Sequence, residues 1–373
     1  MVPRSIYAAC FRQTSITSRL RNVRFIASGS AAPTPASKPG PEPQQPPRRQ
    51  KSWLTRKAES SPITKNAVLR LAQLLGYGST KQVAGRRAFV MYEKLCILRP
   101  DEERAFWQNE CDLPPTFQSW FTVVNLHVWL LTVRLRALPQ PQSKQHIQAL
   151  IDHFFLDIED RVRAILQPAA PDSTASSSPV GPYTPLTDFY KVANLPGKTR
   201  PKGRAPERLV TQQMRIFKEQ WAGMGMSFDA SLLHGDAEMA GVIWRNFLGG
   251  RGARGIVYPS TAPTNKPYFR RAVNLVGGEV EKVKKIDQRG LEVEERRDDG
   301  SGVHDYAPTE ADKYVAYPEL MATLVAYIRR ELLRLQRLPD DVITGPRTPG
   351  SEGDHIERLK FGKVRAGTLF EER

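Results

Sequence analysis

From residue 61 onward, apolar positions recur with the 3.6-residue period of helices almost everywhere. Ser61-Pro62 reads as a cap followed by proline at the first helical position, and Val68, Leu71 and Leu75 ahead of Gly76 predict a short helix. Residues 80–97 continue the pattern, and Pro100 with Asp101, Glu102 and Glu103 opens another helix, its acids where the macrodipole favours them. After Pro114-Pro115, residues 116–138 place Phe117, Trp120, Val124, Val128, Leu131 and Leu135 on one face and leave only a thin polar stripe, which predicts a helix buried on most sides. Residues 146–166 are amphipathic, with Leu150, Phe154, Ile158 and Val162 inward. The pairs Asp157/Arg161 and Glu159/Arg163 are expected at i,i+4 on the solvated side. Helices resume at 207–222, 236–248 and 319–338, with Gly223 and Gly225 read as breakers after the first of these. The expected fold is all-α, a single multi-helix bundle.

Proline, glycine and serine divide the rest. Residues 61–248 form the helical domain around a loop at 168–206, and residues 249–309 read as an irregular insertion that could be deleted without unpicking the bundle. Short strands are possible there at 272–276 and 291–295. Residues 310–338 supply the last helix of the bundle, and 339–373 read as a polar, extended tail.

Charge changes the picture at two places. The chain of 373 residues carries 55 Lys/Arg against 39 Asp/Glu, a net +16. Residues 1–58 hold eleven Lys/Arg and a single acid, Glu42, and residues 191–208 hold six against Glu207 alone. Two local patches therefore account for nearly all the excess, which argues against a general nucleic-acid coat and against DNA as a partner. Residues 1–30 are Arg-rich, Ser-rich and acid-free with no apolar core of signal-peptide length, as in a mitochondrial transit peptide. Residues 31–60 read as a disordered, Pro-rich basic linker. The run Lys198, Arg200, Lys202 and Arg204 is either a solvated linker or an electrostatic foot for a ribosome or anionic lipid.

No motif for catalysis emerges. Cys10, Cys96 and Cys111 form no C-x-x-C, so neither a zinc module nor a dithiol site is indicated. The uncharged run at 113–133 contains prolines and polar residues and reads as bundle core rather than a membrane span. His153, Asp157 and Asp160 lack a facing acid cluster and read as ion pairs. His234, Asp236 and Glu238 read as a helix start capped by Asp236, and Gly249-Gly250-Arg251-Gly252 as a flexible hinge rather than a phosphate loop. No cofactor and no metal is expected. The segment Trp221 to Phe228, with Met224 and Met226, is either an interhelical turn whose methionines fill the core or an adaptable apolar contact surface.

Several helical segments occur in an order that resembles the ubiquinol-cytochrome c reductase chaperone family. They include Met91-Tyr92-Glu93-Lys94-Leu95, Trp120-Phe121 through His127 and Trp129 to Arg134, Asp152-His153-Phe154-Phe155, and Gln213-Met214 through Trp221. The likeness covers about residues 85–248 and resumes at 319–338. It implies a non-enzymatic assembly factor for respiratory complex III, peripheral to the matrix face of the mitochondrial inner membrane. On that resemblance its partners are a small second assembly factor, the mitochondrial ribosome near its tunnel exit, and newly made cytochrome b, which it holds and whose synthesis it supports. A client groove is then expected to be lined by Trp120, His127, Trp129, Trp221, Met224 and Met226. The competing readings are a ribosome- or RNA-binding translation factor working through the 198–204 run, and a helical enzyme of the isoprenoid-synthase type.

Overall fold

The computed structural model describes residues 79–166, 183, 187–190, 205–253, 255–256, 258, 303, 305–348 and 350–365, all in the unit that begins at Ala58. The leader, the linker, the helix expected behind Pro62, the run 198–204 and the possible strands lie outside these residues. Among the described residues every regular element is helical, as expected.

The elements are α1 (Thr80–Met91), α2 (Arg99–Glu102), α3 (Phe117–Arg136), α4 (Gln142–Leu166), α5 (Glu207–His234), α6 (Asp236–Asn246), α7 (Tyr317–Arg337), α8 (Asp340–Thr344) and α9 (Ile356–Leu359). Two wide π-helical turns, Tyr92–Cys96 and Phe106–Glu110, follow α1 and α2, and a 3-10 turn, Pro308–Ala316, leads into α7. The expected helix over 80–97 therefore changes its winding after Met91.

Helix α3 fills the centre. Thr116 caps it by accepting a hydrogen bond from the Ser119 amide at 3.3 Å, and burial extends to polar Asn125, His127 and Thr132. It packs against α2, α4 and α7, while α1 lies on α4, α4 on α5, and α6 between α5 and α7. No helix among the described residues is long and apolar enough to cross a membrane.

Three expectations about the fold are corrected. Helix α5 runs unbroken through Gly223 and Gly225 and ends only at Gly235, whose φ is 105°. Interior glycine costs about 1 kcal/mol relative to alanine, and α5 offsets this by burying Met214, Phe217, Met224 and Phe228. Second, the tail is not an extended polar strand. Val342, Ile343, Ile356, Leu359, Phe361 and Val364 are buried, and arginines from the bundle grip its main chain. Arg87 donates to the carbonyls of Val342, Ile343, Glu352 and Asp354, and Arg99 to those of Phe361 and Gly362. Third, the two ends of the insertion belong to the core rather than to a detachable hinge. Buried Arg251 donates to the hydroxyls of Tyr306 and Tyr317 and to the Asp112 carbonyl, and a Cβ on Gly249 would lie 2.6 Å from Val303 Cβ.

Candidate interaction surfaces

The six residues expected to line one groove are separated by the fold. Trp120 is fully buried, stacked on Phe117 with ring centroids 5.6 Å apart and with the Arg161 guanidinium 4.3 Å above it. His127 is sealed against α7. Its Nδ1–H donates to the Val123 carbonyl at 2.7 Å, so its Nε2 accepts from the Tyr327 hydroxyl at 2.8 Å. Burial and then the charge of Arg99 pull its pKa down to about 3, against the Val123 hydrogen bond. Trp129 stacks on Phe228 at 4.8 Å and donates Nε1–H to Asp229, which also receives Arg136. Met224 is buried and Trp221 half-buried against Phe154. Of the six, only Met226 is well exposed, at 58%. A groove floored by Trp120, His127 and Trp129 is thus not present; large aromatics on a central helix are core when neighbours surround that helix.

What the fold does present is a line on α5. Gly223, Met226, Ala230 and Leu233 are all exposed, at steps of three, four and three that keep them on one helical face. Leu233 is 86% exposed. Between residues 220 and 234 the only formally charged side chain is Asp229, and it turns inward to Trp129 and Arg136. The stripe is therefore uncharged over about 15 Å of helix. The N-terminal half of α5 instead exposes Arg208, Thr211, Arg215 and Lys218. Leu233 was legible as the continuation of Met226 at i+7, but the inner stripe of the same helix masked it.

The polar clusters are absorbed by the fold. Asp157 and Arg161 are paired, but inside the protein rather than on a solvated face. Both Asp157 oxygens accept from Arg161 Nε, at 2.9 and 3.0 Å, and one also accepts from the Tyr92 hydroxyl at 2.8 Å. Burial alone would lower the Arg161 pKa; the Asp157 carboxylate outweighs that and holds the guanidinium charged. Glu159 and Arg163 do pair near the surface. His153 bonds the Tyr183 hydroxyl and the Gly85 carbonyl. Asp236 is not a cap: Gly235 stands at that position, and Asp236 pairs with Arg329 of α7 at 2.8 Å. Burial pushes the Cys111 thiol up to about 12 and that of Cys96 higher. Among the described residues no group of His, Cys, Asp or Glu is placed to hold a metal ion.

Helices α3 to α6 lie within the residues matched by a known protein family. The ubiquinol-cytochrome C chaperone family matches residues 109–169 and 198–289. Protein CBP3, mitochondrial, of Saccharomyces cerevisiae is 27% identical over 150 residues, which is 40% of this chain and 34% of the yeast protein. The ubiquinol-cytochrome c reductase complex assembly factor 1 of Homo sapiens is 23% identical over 154 residues, 41% of this chain and 38% of the human protein. Its Mus musculus counterpart is 34% identical over 71 residues, 19% of this chain and 23% of its own. The matches to the yeast and human relatives span little more than a third of either protein. No solved structure matches significantly. The chain thus carries the ubiquinol-cytochrome C chaperone family match over α3 to α6 and is similar, over about two fifths of its length, to the yeast and human proteins.

Proposed function

We propose that this protein is a mitochondrial assembly chaperone for respiratory complex III that holds newly made cytochrome b at the matrix face of the inner membrane. The observation that carries the client reading is the uncharged, exposed stripe of Gly223, Met226, Ala230 and Leu233, which lies inside the matched segment 198–289. A hydrophobic client helix laid along α5 would meet a small-residue track flanked by Met226 and Leu233, the i, i+3, i+7 geometry of helix-in-groove recognition. Methionine suits such a role because its flexible thioether adapts to different partners. Half-buried Trp221 lies on the opposite, core-facing side of α5, against Phe154. Trp129 supports this half of α5 from beneath through Phe228 and Asp229, while Trp120, His127 and Met224 are buried and do not reach a client in this reading.

In this reading a small second assembly factor completes the complex, and the run Lys198, Arg200, Lys202 and Arg204 supplies ribosome contact. Photo-crosslinkers at Met226 and Leu233, activated during mitochondrial translation, should capture cytochrome b, and one at Lys144 on α4 should not. Capture from Lys144 alone, or from none of the three positions while translation is active, would sink the assignment. Neutralising the four basic residues should remove the protein from sedimenting ribosomes and leave the crosslinks from purified client intact.

A further inference from the structure

The last described stretch alternates in a way its sequence does not advertise. Ile356, Leu359, Phe361 and Val364 are buried, whereas Arg358, Lys360, Lys363 and Arg365 are all exposed. Between residues 355 and 365 these four cations face one acid, Glu357, a net +3. The segment is clamped to α7 through its main chain. Arg334 donates to the carbonyls of Arg358 and Leu359, at 2.8 and 3.2 Å, and Arg330 to that of Lys363. Arg330 and Arg334 thereby bring their own charge to the same edge, and Arg337 follows one turn later, exposed. The result is a basic ledge built from two pieces of chain held side by side.

Acidic groups lie close and define which cations are available. Lys360 pairs with Glu102 at 3.5 Å, and Arg365 bridges Glu110 and Glu319 at 2.6 and 2.9 Å. Glu103 accepts from the Val364 amide and from Arg99, and buried Glu331 is shared by Arg330 and Arg334. Arg358 and Lys363 are exposed and have no carboxylate at ion-pair distance among the described residues. A cleft of about 480 Å³, lined by Arg99, Phe106, Lys360, Lys363 and Arg365 together with the three glutamates 102, 103 and 110, opens between this C-terminal segment and the second π turn.

We propose that this ledge docks the protein on a bilayer of anionic phospholipid, with Arg358 and Lys363 as the principal phosphate contacts. Two features favour lipid over nucleic acid. The ledge exposes no Phe, Tyr or Trp ring on which a base could stack, since Phe361 faces inward. Leu333 projects from α7 beside Arg330 and Arg334, 53% exposed, and an aliphatic side chain among arginines gains from the acyl boundary of a membrane but has no partner on a phosphate backbone. The inference deepens the inner-membrane placement proposed above, yet it can fail separately, because vesicle binding tests the ledge and crosslinking at Met226 tests the client stripe.

The full chain should co-sediment with vesicles of phosphatidylcholine mixed with phosphatidylglycerol and not with phosphatidylcholine alone. The double variant R358Q/K363Q should partition roughly thirty-fold less, two cations being removed from a surface where each contributes about a fivefold factor. The charge-conserving pair R358K/K363R should restore binding, and K144Q/K218Q should leave it unchanged, which separates the ledge from a general charge effect. Circular dichroism matching the parent protein would show that the variants are folded. Equal binding to neutral and anionic vesicles, or undiminished binding by folded R358Q/K363Q, overturns the proposal. Loss of homopolymeric RNA binding in that variant with vesicle binding intact would also overturn it, in favour of nucleic acid.

Discussion

The guanidinium of Arg87 lies 2.7 Å from the carbonyl oxygen of Val342, 255 residues further along the chain. The same side chain reaches the carbonyls of Ile343 and Asp354 at 3.2 and 3.0 Å and that of Glu352, and it is only 1% exposed. One arginine of the first described helix thus holds both α8 and the turn before α9. Since the Val342 and Ile343 oxygens are buried and the other two partly so, removing their donor leaves at least the first pair unsatisfied rather than hydrated.

Arg87→Met should therefore cost about 3 kcal/mol or more in urea unfolding. Arg87→Lys should rescue little, because one ammonium cannot span four acceptors that a planar fork reaches. Limited proteolysis should cut first between residues 345 and 355. A loss below 1 kcal/mol would mean that the tail is held by its apolar side chains alone.

The buried pair on α4 gives a sharper contrast. Replacing Asp157 by Asn strands Arg161 inside the protein and should cost about 3–5 kcal/mol. Glu159→Gln, which breaks a half-exposed pair two positions further along the same helix, should cost under about 1 kcal/mol. Asp157→Leu combined with Arg161→Met should cost less than the sum of the single changes. Thermal and urea unfolding of the set would measure these differences.

Glycines on continuous helix and at a true turn should respond with opposite sign. A Cβ added at Gly223 or Gly225 meets nothing within 4 Å, so Gly223→Ala and Gly225→Ala should each stabilise by about 0.5–1 kcal/mol. At Gly345 φ is +69° and the added Cβ would sit 2.7 Å from Arg87 Nε, so Gly345→Ala should destabilise by more than 1 kcal/mol on the order expected for an incompatible backbone. Loss of stability at Gly223 or Gly225 would restore the helix-break reading.

His127 sets a pH dependence. It is neutral in the folded protein, with a pKa of about 3, but protonates near the ordinary 6.5 once unfolded. The unfolded state thus binds the extra proton, and stability falls as pH drops through 6.5, continuing to fall toward 3. Between pH 7 and 5 this group should remove about 2 kcal/mol. Burial also lowers the pKa values of His146 and His153, so the whole protein should lose more. His127→Gln, which cannot titrate, should show a flatter slope by that amount; identical slopes would refute the assignment.

Much of the bundle was readable from periodicity. The central helix appeared at 116–138 and is observed at Phe117–Arg136, because an apolar face that wide can satisfy itself only in the middle of a helical bundle. The final long helix was equally plain, since Leu320, Leu324, Ile328 and Leu335 recur on one side. The C-terminal segment was not, because its buried residues stand singly among charges and are held by arginines distant in sequence. The contact surface was misplaced for a related reason. Tryptophan and methionine signal contact without saying with what, and on α3 the contacts are all internal.

Sequence alone therefore determined the helical class, the approximate spans of α3, α4, α6 and α7, and the likeness to the ubiquinol-cytochrome C chaperone family, because these depend on local period and residue order. Tertiary structure decided which side chains were left over. Arg86 and Arg87 are adjacent and chemically identical, yet Arg86 pairs with Glu352 at the edge while Arg87 is buried against main-chain carbonyls. Met224 and Met226 differ as sharply, one inside and one out. Helical period says that neighbours face apart, but only the elements packed around them say which face is core.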